Sequence, residues 1–168
     1  MPPKSPEGRY THFPVFLDLS EKRILFAGGG RIAARRLGVM SRFTGSYTVI
    51  APEISDRIRT LALENDQICL KERECTPNDL DGFDIVFLCT KDAEKNAELS
   101  RLAREKGLLV NDAGNAENCD FYMPGVVTKD ETVIGVTASG KDHYRAKAMR
   151  IAIAQMIEGE ALDTGKSG

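Results

Sequence analysis

The chain has 168 residues, 42% hydrophobic and 29% charged, with a formal net charge of −2. That length suits one domain, or one domain with a small appendage, and it supplies enough apolar residues for a core. The charge balance excludes a global basic field for nucleic acid or an anionic membrane, and no apolar run approaches the roughly 20 residues of a membrane helix.

Residues 1–11 have no apolar signal core and read as a flexible tail. Cys69, Cys75, Cys89 and Cys119 show no CxxC spacing. They suit reduced thiols better than a disulfide frame, so a cytoplasmic protein is expected, and no metal site is expected. Cys69 and Cys89 lie in apolar runs and are expected in the core.

Residues 13–19, Phe-Pro-Val-Phe-Leu-Asp-Leu, are apolar and expected to be extended, with Pro14 confining them to an edge or a surface. Residues 23–27 form a first core strand, followed by Gly28-Gly29-Gly30. Ile32, Leu37, Val39, Met40 and Phe43 then mark a helix ending near Thr44-Gly45. The β-branched run 47–51 is a second strand, stopped by Pro52. Ile54, Ile58, Leu61 and Leu63 mark an amphipathic helix with Arg57, Arg59 and Glu64 toward water. Ile68-Cys69-Leu70 is a third strand, and a charged surface connection runs on through Gly82. Residues 84–89 are nearly all apolar, as in a central strand buried on both faces. A helix over 93–106 closes at Gly107, and a fifth strand over 108–110 leads into residues 111–115. Strand and helix alternate throughout. The expected fold class is therefore α/β, a doubly wound, Rossmann-like parallel sheet over residues 1–118.

The pattern changes after residue 118. Residues 126–128 and 132–137, joined by a turn, read as an antiparallel hairpin, and one helix follows over 142–158. This α+β segment, 119–168, is too small to fold alone, and a second copy of the chain is a natural partner for its apolar face. A homodimer is expected.

The glycine run has the form Gly28-x-Gly30-x-x-Ala33. Gly28 lets the chain reverse after the strand, Gly30 leaves the backbone open to a diphosphate, and Ala33 allows close packing of helix on strand. With an apolar strand before it and a helix after it, this arrangement points to a dinucleotide. Ligands of open α/β sheets bind beyond the carboxyl ends of the strands, which nominates loops 28–31, 51–53, 89–92 and 111–115. Pro52 and Glu53 fall where an adenosine ribose would lie, and the choice between NAD and NADP stays open. Arg31 or Arg35 either meets a phosphate or is solvated. Thr90 either borders the nicotinamide or belongs to a helix cap. Asn111 and Asp112 either serve the site or form an Asx turn. His143 is a lone histidine at a helix start. Lys141, Arg145, Lys147 and Arg150 are either a solvated face or the cations that a polycarboxylate requires.

Together these segments resemble the N-terminal module of siroheme synthase, also found alone as precorrin-2 dehydrogenase/sirohydrochlorin ferrochelatase. The resemblance rests on Phe13 to Leu19, Gly28 to Ala33, Thr48 to Glu53, Cys89-Thr90-Lys91-Asp92 with Asn96, Phe121-Tyr122-Met123-Pro124, and Thr137-Ala138-Ser139-Gly140. It implies NAD-dependent oxidation of precorrin-2 to sirohydrochlorin, with ferrous iron as a further chelation substrate, in a homodimer whose dimerisation unit follows residue 118. The substrate would be a tetrapyrrole with eight carboxylates. The implied cofactor residues are Gly28, Gly30, Arg31, Ile32, Pro52, Glu53 and Thr90. Asn111, Lys141, Arg145 and Arg150 would meet the substrate. Asp112, with His143 in reserve, is the candidate acid/base. The family carries an aspartate in an Asn-x-x-Asp pattern where this chain has Gly114. It also has Ser-Pro where this chain has Asp142-His143, and a serine at Ala138. A non-catalytic binder of dinucleotide or tetrapyrrole, or a chelatase without dehydrogenase activity, is the alternative.

Overall fold

The computed structural model describes residues 12–140 and 142–159. Two compact units divide them: residues 17–121 form one, and residues 12–16 with 122–159 the other.

The larger unit is built on five parallel strands. They are β1 (Arg23–Ala27), β2 (Ser46–Ile50), β3 (Ile68–Lys71), β4 (Ile85–Leu88) and β5 (Leu109–Asp112), arranged in the order β3-β2-β1-β4-β5. Helices α1 (Arg31–Met40), α2 (Asp56–Glu64) and α3 (Ala93–Glu105) make the crossovers. The order reverses between β1 and β4, so the crevice for a ligand opens at their carboxyl ends. All four residues of β4 are buried, as a strand covered on both faces requires. Phe26 and Phe87 face each other in register across β1 and β4, with ring centroids 4.6 Å apart, and Phe121 packs edge-on against Phe87.

Several sequence expectations shift by a few residues, each for a physical reason. α1 stops at Met40 rather than near Thr44. Tyr47 occupies the space beyond it, its buried hydroxyl 2.5 Å from Met40 O and 2.9 Å from Phe43 O, among the carbonyls freed at the helix end. Burial pushes the Tyr47 hydroxyl up to about 12. Gly45, with φ +125°, then swings the chain into β2.

Three expectations are corrected. Cys69 is exposed, because β3 is an edge strand and Cys69 lies on its solvent side; Cys75 is the buried cysteine, and Cys89 is half-buried. Leu63 is 87% exposed and takes no part in the buried face of α2, which rests on Ile58. Residues 13–19 join no strand among the described residues, and Phe13 and Phe16 stand exposed. The connection after β3 is more ordered than a plain surface loop. Its 3-10 turn, Pro77–Leu80, buries Leu80 completely in the core beneath α3.

In the smaller unit, β6 (Gly125–Lys129) and β7 (Thr132–Val136) form an antiparallel hairpin, and α4 (His143–Gly159) packs on β6. Val127 and Ile157 are its buried apolar residues, and Lys129 Nζ donates to Ile157 O. The expected flexible tail, residues 1–11, and Lys141 lie outside the described residues. Among the described residues, no helix is long and apolar enough to cross a membrane.

Candidate functional site

The turn after β1 is fixed by contacts that only glycine permits. Gly28 has φ +113°, and a Cβ on it would lie 2.6 Å from both the carbonyl carbon and oxygen of Cys89. The loop after β1 is thereby pressed against the exit of β4. Gly29 is just as confined: a Cβ there would come 2.4 Å from Glu53 O, so the same turn is also pressed against the exit of β2. Gly30 differs, since nothing lies within 4 Å of its would-be Cβ. Two glycines therefore seat the turn, and the third leaves a bare surface facing outward. The packing role of Gly29 has no counterpart in the spacing of Gly28, Gly30 and Ala33; the unbroken glycine triplet is its only trace in the sequence.

Hydrogen bonds lock this geometry. Gly28 N donates to Ile50 O at 2.9 Å, Cys89 N to Ala27 O at 2.7 Å, and Ser55 N to Gly29 O at 3.0 Å. α1 begins at Arg31, its first intrahelical bond runs from Ala34 N to Gly30 O, and Ala33 is fully buried beneath it. Gly30 supplies no capping side chain, and no acid stands in the first turn. The helix dipole and its leading N–H groups thus remain for an anion from outside, which suits a diphosphate. Arg31 and Ile32 stand exposed at that end, and exposed Pro52 and Glu53 flank it at the end of β2.

At the exit of β4, Thr90 is tied to α3. Its hydroxyl donates to Asn96 Oδ1 at 2.6 Å, and Asn96 Nδ2 returns a bond to Thr90 O at 3.2 Å. Asp92 caps the helix through Lys95 N. Thr90 therefore serves the α3 cap, and its half-buried position at the strand end also borders the crevice.

The loop after β5 is closed on itself. Asp112 is 4% exposed; its Oδ1 accepts from Gly114 N at 2.8 Å and its Oδ2 from Asn118 Nδ2 at 3.0 Å. Asp112 N and O both meet Cys119 Sγ at 3.2 Å. This is the Asx-turn arrangement, with both carboxylate oxygens committed inside the loop. Asn111 is buried as well. Its Nδ2 donates to Phe121 O at 2.7 Å, while its Oδ1 has no hydrogen-bond partner. Gly114 is exposed, and a Cβ there would stand 3.5 Å from Asp112 Oδ1, an ordinary contact. Burial pushes the Cys89 thiol up to about 11 and raises that of Cys119, so neither is a ready thiolate near neutral pH.

Arg36 belongs to this neighbourhood, although its sequence position gave no sign of it. Its guanidinium lies 5.8 Å from the Phe87 ring centroid, and its Nη1 is 3.8 Å from Cys89 Sγ. Only the register of α1 against β4 brings it there.

The remaining candidates fall in the smaller unit. His143 is the exposed first residue of α4, whose start is capped by Asp142 accepting from Arg145 N at 2.8 Å. Arg145 is exposed; Arg150 packs its stem on Gly125, where a Cβ would come 3.0 Å from Arg150 Cδ. Lys141 lies outside the described residues. No group of three His, Cys, Asp or Glu side chains among the described residues could hold a metal ion.

A doubly wound parallel sheet with a glycine turn open to a diphosphate marks a dinucleotide-binding protein. The NAD_binding_7 family model, described as "Putative NAD(P)-binding", matches residues 15–125, and the chain belongs to that family. The chain is 32% identical over 155 residues to "Probable multifunctional siroheme biosynthesis protein HemA" of Ruminiclostridium josui, covering 92% of this chain and 30% of that protein. It is 31% identical over 146 residues to a siroheme synthase of Pseudoalteromonas atlantica, covering 87% of this chain and 31% of that one. The chain thus spans just under a third of the length of these curated relatives. Its fold is similar to that of the solved structure "SirC, precorrin-2 dehydrogenase", with a TM-score of 0.69 at 21% identity, over 86% of this chain and 71% of that one.

Proposed function

We propose that this chain oxidises precorrin-2 to sirohydrochlorin with a nicotinamide cofactor, as a step in siroheme biosynthesis. The observation that carries this reading is the bare, uncapped start of α1 beside Gly30, in a chain whose relatives are named for siroheme synthesis. A nicotinamide bound there would supply a two-electron hydride acceptor, and the accompanying proton would pass to a base of this chain. The amides of Arg31 and Ile32 hold the diphosphate, Pro52 and Glu53 border the adenosine ribose, and Thr90 borders the nicotinamide. Asn111, Lys141, Arg145 and Arg150 offset or orient the carboxylates of the tetrapyrrole. Asp112 takes the proton, with His143 in reserve. Each Asp112 oxygen accepts one bond and keeps a second lone pair for that proton, while the residue is only 4% exposed. Ferrous iron enters as a second substrate if the chain also chelates. The working form is a cytoplasmic homodimer, a reading supported by exposed Phe13, Phe16, Tyr144 and Met156 in the smaller unit.

The test supplies precorrin-2 and NAD or NADP and follows the sirohydrochlorin absorbance, with Asp112→Ala and His143→Ala beside the wild type. Turnover by wild type that falls in Asp112→Ala supports the reading. Turnover unchanged in both variants overturns the residue assignment, and no turnover overturns the activity. One observation favours a second reading, a non-catalytic binder: Gly114 has no carboxylate, and Asp112 is bonded into its own loop. Binding of dinucleotide or sirohydrochlorin without turnover would support it. Iron insertion into supplied sirohydrochlorin without dinucleotide would instead identify a chelatase.

A further inference from the structure

An open groove of about 510 Å³ runs between α1 and α2 in the larger unit, lined by Arg31, Arg35 and Arg57 together with Ala34, Gly38 and Ser55. No acidic side chain is among its lining residues. Elsewhere in this unit Arg59, Arg73, Arg101 and Arg104 each hold a carboxylate within 3 Å. The floor is made of small residues, and the Arg57 guanidinium overhangs it: a Cβ on Gly38 would come 3.9 Å from Arg57 Nη2. Ser55 Oγ is shielded from water and has no hydrogen-bond partner. Three guanidinium groups on one groove are the donors that a doubly charged phosphate monoester needs.

The position of the groove says which phosphate. Arg31 is the first residue of α1, next to the diphosphate seat, and Ser55 N is bonded to Gly29 O at 3.0 Å just past the end of β2. In a dinucleotide site the adenosine ribose lies at this strand end. There an acid bonds the 2′-hydroxyl of NAD, or an arginine accommodates the 2′-phosphate of NADP. Glu53, the one acid at this strand exit, is exposed and is not among the groove's lining residues.

We propose that the groove between α1 and α2 seats the 2′-phosphate of NADP on Arg31, Arg35 and Arg57, so that the chain takes NADP in preference to NAD. The inference rests on the dinucleotide reading above. Calorimetric titration of the full chain with NADP+, NAD+, 2′,5′-ADP and 5′-AMP tests it, without recourse to turnover. The expected result is NADP+ binding at least about tenfold tighter than NAD+, with 2′,5′-ADP preferred over 5′-AMP to a similar degree. Arg57→Ala and Arg35→Ala should remove most of that preference while leaving NAD+ affinity within about twofold. Equal or tighter binding of NAD+ overturns the proposal and leaves the dinucleotide reading intact. Loss of NAD+ and NADP+ affinity together in Arg57→Ala also overturns it, since the side chain would then serve the shared adenosine. Binding of neither dinucleotide overturns both the proposal and the reading beneath it.

Discussion

Single residues decide how the site is built, and two glycines act in opposite ways. Gly28 combines a positive φ with a would-be Cβ 2.6 Å from the Cys89 carbonyl, so any side chain there must push apart the exits of β1 and β4. Gly28→Ala is expected to cost roughly 1–3 kcal/mol, read as a lower urea midpoint, and to weaken dinucleotide binding as the turn shifts. Gly114 is permissive, since its nearest neighbour is Asp112 Oδ1 at 3.5 Å and the position is exposed. A Cβ therefore fits there, and Gly114→Asp sets a carboxylate beside Asp112 at the position where the resemblance to the siroheme family places one. If proton transfer limits the oxidation, the variant should raise precorrin-2 turnover by about tenfold or more. An unchanged rate would show that the missing carboxylate is not what limits this chain.

Among the elements, the 3-10 turn at Pro77–Leu80 links surface charge to the core. The Asp79 carboxylate accepts from Thr76 N at 2.8 Å and pairs with Arg73, 2.7 Å from its Nη1, holding fully buried Leu80 in place. The Arg73 guanidinium, helped by Thr76, holds the Asp79 carboxyl far below the usual carboxylate range. A folded value below the unfolded one stabilises the chain above the unfolded value, and that stability is lost as pH falls through the folded one. Asp79→Asn is expected to cost about 1–2 kcal/mol near neutral pH. The gap to wild type should start to shrink near about pH 4 and vanish in stronger acid, as urea unfolding across a pH series would show. The alternation of apolar strands and amphipathic helices made every strand of the parallel sheet legible in advance, because buried β4 and the β-branched β2 carry that information locally. Cys69 and Leu63 were not legible, since exposure depends on which strand lies at the edge and which helix face meets it. The same limit applied at the site. Loop positions follow from topology, and an Asx turn is one of two readings of Asp112 in the sequence, but the second bond, from Asn118 Nδ2, depends on side-chain geometry that no spacing shows.

For the whole molecule, most of the exposed large apolar side chains among the described residues lie in the smaller unit, where Phe13 is 86% and Tyr144 89% exposed. If a second copy covers them, sedimentation should return twice 18.5 kDa at micromolar concentration and a shift toward monomer in Tyr144→Asp; a monomer at every concentration would refute the dimer. An open sheet also has two edges that must not meet another chain. Both edge strands here, β3 and β5, are only four residues long, and β3 runs straight into Lys71, Glu72 and Arg73. The exposed thiol of Cys69 sits on one of these edges, while Cys75, Cys89 and Cys119 are wholly or partly covered. A thiol reagent should thus titrate one fast group on the native protein and four on the unfolded one, with buried Cys75 the group that waits most directly on unfolding. In an oxidising environment Cys69 would be the group through which two chains become cross-linked, making this edge the place where handling without reductant first shows.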